Sequence, residues 1–324
     1  MARAIRIHEH GGPEVLRFEE SDPGSPMPGW VRIRHRAVGL NYIDTYHRSG
    51  LYPLALPSGL GLEAAGVVEE VGQDVTRWKI GDRVAYGTGP LGAYAEVANV
   101  PADRAVAIPD AVSDEAAAAL MLKGLTAWFL LRRTYRVKAG DTILFHAAAG
   151  GVGTLACQWA NHLGATVIGT AGSEAKAKSA REHGCAHVID YSTENFTRRV
   201  QEITKGEGVP VVYDGVGKAT FDGSIDCLRP LGLMVSFGNA SGPPPPVNLA
   251  TLSQAGSLFI TRPTLMHYTR DPGELAAGAA ELFELVGKGV IKVEVNQRYP
   301  LSEAAAAHRD LEARKTTGAT VLLP

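Results

Sequence analysis

Asp141-Thr-Ile-Leu-Phe-His-Ala-Ala-Ala-Gly-Gly-Val-Gly153 decides the fold. Residues 142–145 are β-branched and apolar, which reads as a buried strand. Small residues follow, and then a helical pattern over 154–163. A strand, a tight turn and a helix start in that order present backbone N–H groups to an anion. The turn needs Gly or Ala because a larger side chain would hold phosphates away from those amides. Ala148 to Gly153 follows the dinucleotide fingerprint G-x-G-x-x-G with Ala in place of the first Gly. Taken alone, such a turn also occurs where a helix merely packs close to a strand.

The flanking sequence supplies the context. Helical patterns over 173–183, 195–204 and 219–228 alternate with strand-like runs over 165–170, 187–190, 210–214, 232–237 and 257–261. Six strands with helical crossovers predict an α/β fold, a doubly wound parallel six-stranded sheet of Rossmann type. A ligand then lies across the carboxyl ends of the strands, where the loops at 147–153, 170–176, 214–217 and 237–241 converge.

Residues 1–120 read differently. Short alternating runs at 4–8, 15–18 and 31–38 and a dense glycine series from Gly59 to Gly92 predict a bent, barrel-like β domain. Asn41-Tyr-Ile-Asp-Thr-Tyr46, a polar and aromatic cluster after a strand, is the place to look for substrate-facing groups. Asn41 and Asp44 are equally suited to cap the helical turn that follows, and the tyrosines to pack. A helix over 113–131, with Asp114 and Glu115 in its first turn, carries the chain between domains. The tail breaks the alternation with a helix over 274–286, a strand over 291–295, a helix starting at Ser302 and a strand over 319–323. It is expected to return to the β domain, giving 1–121 and 265–324 as one domain and 122–264 as the cofactor domain.

With 324 residues, 45% hydrophobic and 20% charged, the composition is that of a soluble globular protein. The net charge of −2 argues against nucleic acid or a membrane as main partner. No apolar run reaches the ~18 residues of a membrane span and the N-terminus lacks a signal-peptide core, so a cytoplasmic location is expected. Cys157, Cys185 and Cys227 are too far apart in sequence for ligand spacing and read as reduced core thiols.

An NAD site usually places Asp or Glu at the end of the second strand to bind the ribose 2′-hydroxyl. Here the segment is Thr170-Ala-Gly-Ser-Glu-Ala-Lys176. Small neutral residues hold the strand end, and Gly172, Ser173 and Lys176 suit a 2′-phosphate, which favours NADPH. Glu174 speaks against it, and a lysine on a helix is commonly just solvated.

Several stretches resemble one family: Gly11-Gly-Pro-Glu-Val-Leu16, Asn41 to Tyr46, Arg48-Ser-Gly-Leu-Tyr-Pro53, Gly61-Leu-Glu-Ala-Ala-Gly66 and Lys123-Gly-Leu-Thr126. Phe145 to Gly153, Val235-Ser-Phe-Gly-Asn239, Thr261-Arg-Pro263 and Gly289-Val-Ile-Lys292 belong with them. In this order they are similar to the NADPH-dependent quinone oxidoreductases, the zeta-crystallin-like, zinc-free branch of the medium-chain dehydrogenase/reductase superfamily. The resemblance implies a GroES-like β-barrel domain beside the Rossmann domain, a cleft for nicotinamide and substrate, and a homodimer paired through the strand at 257–261. It implies that Asn41, Tyr42, Ile43, Asp44, Thr45 and Tyr46 lie along the nicotinamide and ribose, with Phe129 beside the cofactor where relatives often carry tyrosine. Gly150, Gly151 and Val152 would meet the pyrophosphate. Ser173, Lys176, Tyr191 and Arg314 would surround the 2′-phosphate, where a guanidinium grips bidentately. Phe237, Gly238, Asn239 and Ala240, with Arg262, Pro263 and Thr264, would line the nicotinamide end.

Zinc-dependent relatives need a cysteine near position 40, a His-Glu pair at the Gly61 motif and four cysteines over 85–105. This chain has Leu40-Asn41, Gly61-Leu62-Glu63 and no cysteine before Cys157. No metal is expected, and alcohol dehydrogenation is disfavoured. A quinone needs less help, because its carbonyls are electrophilic and reduction aromatises the ring. Stacking on the nicotinamide and hydrogen bonds to the developing oxyanion suffice, with Asn41, Tyr46, Tyr52 and Arg262 as candidate donors. The expected activity is thus quinone reduction by electrons or hydride from NADPH. Enone or alkenal double-bond reduction is the alternative, and a zeta-crystallin-like structural or RNA-binding role a distant third.

Overall fold

The computed structural model describes residues 2–324, which divide into two compact units, residues 126–268 and residues 2–125 with 269–324. The first holds a six-stranded parallel sheet in the order His187–Asp190, Thr166–Ala171, Thr142–Phe145, Val209–Asp214, Leu228–Ser236, Phe259–Thr261. In chain order this is 3-2-1-4-5-6, with Thr142–Phe145 at the centre where the winding reverses. Ile143, Leu144, Val167, Ile168, Val211, Val212 and Tyr213 have no exposed surface. Helices cover both faces, so these strands are continuous apolar runs without alternation.

In the other unit the strand Trp30–Leu40 does alternate. Val31, Ile33 and Ala37 point into the core while Arg34 and Arg36 face outward, where Arg34 pairs with Glu69. It is the central member of a seven-stranded sheet that also contains Val295–Pro300, Ala319–Leu323, Ala64–Val71, Arg83–Tyr86, Val106–Ala107 and Val97–Pro101. Register shifts between Arg32 and Ile33 and between His35 and Ala37 bend the strand. Gly66 makes the bend possible, since a Cβ there would lie 2.0 Å from the Arg34 carbonyl oxygen. A three-stranded sheet of Arg17–Glu20, Arg3–Ile7 and Ser58–Gly59 completes the barrel-like core.

Several expected elements differ. The strand expected over 232–237 runs over Leu228–Ser236 and so begins inside the helix expected over 219–228, which is shortened to Phe221–Asp226. The strand placed at 291–295 lies instead at Val295–Pro300, because pairing with Ala319–Leu323 sets the register, while Ile291 is simply buried and Val293 packs against Ala319 and Val321. The run at 15–18 splits into the 3-10 turn Pro13–Val15 and the strand Arg17–Glu20, whose partner is Arg3–Arg6. The helix expected over 113–131 is α-helical over Asp114–Phe129 and then widens to a π-turn, Leu130–Thr134. The last strand of the six is shorter than 257–261 because Ser257 adopts a left-handed backbone, φ +56°. No helix among the described residues is long and apolar enough to cross a membrane.

Candidate functional site

The turn after the central strand has the shape its sequence predicts. Ala147 is left-handed (φ +53°), Ala148 N donates to Thr170 O at 3.0 Å, and Gly150 N donates back to Ala147 O at 2.9 Å. Gly150 then caps the helix Gly151–His162, whose first turn carries no acidic side chain. A Cβ on Gly153 would lie 2.4 Å from Ala147 O and 2.7 Å from Ala148 O, so the helix sits directly on the turn. Free amides at a helix start, aimed out of a turn with no side chain over it, suit a pyrophosphate.

Beneath this turn lies a buried polar network. His146 Nδ1 meets Thr170 Oγ1 at 3.0 Å and its Nε2 meets Ser224 Oγ at 2.9 Å; burial holds the imidazole pKa below its ordinary value. Asp214 Oδ2 accepts from Thr220 Oγ1 and Ser224 Oγ, while Oδ1 accepts from Val216 N and Gly217 N. The network joins three strand ends and shapes the loop 215–217. Phe237 packs on Gly215, where a Cβ would come within 2.9 Å of its ring, and a Cβ on Gly238 would lie 2.3 Å from Gly215 O.

At the second strand end, Ser173 caps the helix Glu174–Glu182 by accepting from Lys176 N. Tyr191 Oη lies over Gly172, 2.5 Å from where a Cβ would stand. Glu174 is turned to solvent and paired with Arg181 at 2.9 Å, so it does not compete with a phosphate beside Ser173 and Lys176. Arg262 Nη1 donates to Ser236 O and Gly238 O, both at 3.0 Å, and so holds the 236–238 turn. Phe129 is buried and stacks on Tyr268, centroids 4.6 Å apart.

In the barrel unit the helix Tyr42–Ser49 gathers the predicted side chains. Tyr42, Tyr46 and Tyr52 form a row with centroid spacings of 6.3 and 5.2 Å, and Tyr42 Oη donates to Leu311 O. Thr45 Oγ1 donates to Tyr42 O, and Asp44 is wholly buried. Asn41 Nδ2 donates to Glu63 Oε2 at 2.8 Å and to Gly39 O at 3.4 Å, so its amide hydrogens are directed inward. Arg314, on the same unit, is exposed and left-handed at φ +58°.

Glu63 and Lys123 belong to quoted motifs, yet sequence reasoning gave them no role. Lys123 Nζ pairs with Glu63 Oε2 at 3.2 Å, both buried, and Glu63 Oε1 accepts from Leu122 N. Each is a charge inside an apolar run, Leu62-Glu63-Ala64 and Leu122-Lys123-Gly124, which is itself the mark of a buried pair. Tyr94, which donates to Asp44, and His308, which meets Tyr94, carried no local signal.

A family model described as zinc-binding dehydrogenase matches residues 151–277, and one described as alcohol dehydrogenase GroES-like domain matches residues 27–110. With the sheet order these define a medium-chain dehydrogenase/reductase. The chain is 59% identical to the quinone oxidoreductase of Pseudomonas aeruginosa and 49% identical to a 2-haloacrylate reductase of a Burkholderia species, spanning 100% of this chain and at least 99% of either relative. The NADPH complex of the Escherichia coli quinone oxidoreductase superposes with a TM-score of 0.98 at 52% identity, covering 100% of both chains. The chain belongs to the quinone oxidoreductase family of that superfamily.

The zinc in the first model's description does not fit the residues present. Glu63 is the lone carboxylate at the motif, and it already carries an ammonium and an amide, leaving no thiolate or imidazole to complete a tetrahedral set. No group of three or more His, Cys, Asp or Glu among the described residues is placed to hold a metal ion. NADPH does fit: the turn is bare of side chains and the second strand ends without a carboxylate.

Proposed function

We propose that the protein reduces quinones with NADPH and uses no metal. The observation that carries this reading is the cofactor seat: a bare amide-lined turn at the central strand, with Ser173, Lys176 and Tyr191 where an NAD enzyme keeps an acid. Bound NADPH supplies the hydride. The protein contributes placement. Gly150, Gly151 and Val152 receive the pyrophosphate, and Phe237 to Ala240 with Pro263 and Thr264 border the nicotinamide. Arg262 acts by fixing the 236–238 turn, because its Nη1 is engaged on backbone carbonyls. Tyr46 and Tyr52 offer hydroxyl donors and ring faces to the quinone, while Asn41, anchored by Glu63, orients what lies beside it.

The test is turnover with NADPH and NADH on benzoquinones, naphthoquinones and alkenals. Quinone turnover that prefers NADPH supports the reading. Exclusive alkenal turnover replaces it with double-bond reduction, the reading that the 2-haloacrylate reductase relative keeps in view. Loss of turnover in Tyr46→Phe or Tyr52→Phe supports their roles, and unchanged kinetics in both removes them. The edge strand Phe259–Thr261, with Phe259 60% and Leu249 76% exposed, is the seam we assign to a homodimer; a monomeric mass by light scattering overturns it. The three cysteines are buried and unbridged, as suits the cytoplasm, which cell fractionation checks.

A further inference from the structure

The helix Tyr42–Ser49 is held by a buried chain of side chains that has no role in the reading above. Asp44 Oδ2 accepts from Asn41 N at 2.8 Å, the returning half of a capping box, and from Tyr94 Oη at 2.9 Å. Tyr94 Oη meets His308 Nε2 at 3.0 Å, and His308 Nδ1 meets Arg48 Nη1 at 2.9 Å. Arg48 closes the chain with a two-pronged pair to Glu312 at 2.7 and 3.1 Å. Asp44, Tyr94 and His308 have no exposed surface and Arg48 has 2%. Two helices each contribute residues four apart, Asp44 with Arg48 and His308 with Glu312. The Tyr94 ring slots between them against Gly61, where a Cβ would lie 2.3 Å from it.

The chain has one direction. A guanidinium only donates, so His308 Nδ1 must accept, which puts the imidazole hydrogen on Nε2. Nε2–H then donates to Tyr94 Oη, and Tyr94 O–H donates to Asp44. Burial, and then Arg48, hold His308 neutral by lowering its pKa to about 3. The relay ends on Asp44 Oδ2, which accepts from Tyr94 Oη and Asn41 N, while Oδ1 is buried with no partner; the two bonds to Oδ2 and the helix N-terminus favour the anion. We infer that Asp44 is a positioning residue whose charge, set through Tyr94, His308 and Arg48, governs the seat of the Asn41 to Tyr46 segment and hence NADPH binding. This rests on the reading that the segment lines the nicotinamide site.

Full burial opposes the anion and raises the Asp44 pKa to about 7 against the lowering by Asn41 N–H, Tyr94 and Lys123; Glu63 adds to the rise. The groups acting on it are Tyr94, Glu63 before the strand Ala64–Val71 and Lys123 on the helix Asp114–Phe129, while His308 on Ala304–Glu312 and Arg48 on its own helix reach it through Tyr94. Below that pH the carboxyl is neutral, its acceptor strength falls and the helix start loosens. Above it the segment is locked.

The experiment measures NADPH affinity by fluorescence and quinone kcat/KM over about pH 5.5 to 8.5 for wild type, Asp44→Asn and Tyr94→Phe. Infrared difference spectra of the cofactor-free proteins follow the buried carboxyl. The wild type is expected to lose NADPH affinity as pH falls through about 7, and Asp44→Asn is expected to flatten that inflection. Tyr94→Phe moves it up by about one pH unit because the anion loses a donor. A merely structural role would lower thermal stability without moving the inflection. The inference is overturned if Asp44→Asn keeps the inflection, if the wild type has none, or if Tyr94→Phe leaves the infrared titration in place. Should Asp44→Asn not fold, the wild type and Tyr94→Phe decide alone. A wild type that titrates in the infrared but neither binds NADPH nor turns over quinone instead removes the functional reading.

Discussion

Gly150 and Gly153 stand three residues apart in one turn, and the proposed cofactor seat gives them separable tasks. In Gly153→Ala the new methyl would lie 2.4 Å from Ala147 O, whereas Cβ atoms essentially never come within 3.0 Å of such a neighbour. The helix start must therefore withdraw by at least the difference, 0.6 Å, against backbone that cannot rotate away. Overpacking of this kind costs about 1–3 kcal/mol, offset by about 1 kcal/mol for replacing glycine within a helix. The net loss, about 1 kcal/mol at the middle of a range of about 0–2, lowers Tm by a few degrees. In Gly150→Ala the nearest neighbour is Ala147 O at 3.1 Å, a tight contact that a shift of a few tenths of an ångström relieves, and the methyl stands over the amides instead. That variant should keep its Tm and lose about tenfold or more in NADPH affinity, roughly 1.4 kcal/mol of blocked approach. Calorimetry and NADPH fluorescence titration on both variants read the two effects apart. If Gly153→Ala keeps its Tm, or Gly150→Ala binds NADPH as wild type does, the assignment of tasks is wrong.

Lys176→Ala should raise KM for NADPH about tenfold and leave NADH within about twofold, since only the 2′-phosphate distinguishes them; equal effects on both would place the lysine elsewhere. Lys123→Met strands Glu63 as a buried unpaired carboxylate and should cost about 3–5 kcal/mol in urea unfolding, while the double variant with Glu63→Gln recovers most of it. Acid stability follows from buried titratable groups, among them His35, His308 and Asp44. His35 and His308 are pushed down by burial to about 4 and about 3 from 6.5, so the unfolded chain gains two protons that the folded one refuses as pH falls below 6.5. Asp44, raised from 3.8 to about 7, binds one proton in the folded state over the same window and offsets one of them. Burial also pushes His146 and His47 down, so the unfolded chain still binds more protons than the folded one. Stability is complete above pH 6.5 and falls by at least roughly 3 kcal/mol by pH 4, which denaturant midpoints across that range check, and Asp44→Asn should steepen the slope.

What could be read from sequence and what could not divide along the range of the interaction. Thr142–Phe145 and Val209–Asp214 announce themselves because a parallel strand buried on both faces must be a short apolar run, and the 147–153 turn because phosphates tolerate only small residues over the amides. The strand Val295–Pro300 lies off the expected 291–295 because its register belongs to Ala319–Leu323, which no local pattern encodes. Arg262 is legible as part of the Thr261-Arg-Pro263 motif but not in its geometry, since a guanidinium committed to two backbone carbonyls leaves the same trace in sequence as one aimed at a substrate. Glu63 and Lys123 are half legible, as charges in apolar surroundings whose partners lie 60 residues apart. Tyr94 and His308 are not legible at all, being 214 residues apart and individually ordinary. The groups that would touch NADPH answer to its chemistry and so recur in recognisable local patterns. The groups that hold them answer only to each other, so a single substitution such as Tyr94→Phe should expose a dependence that no motif contains.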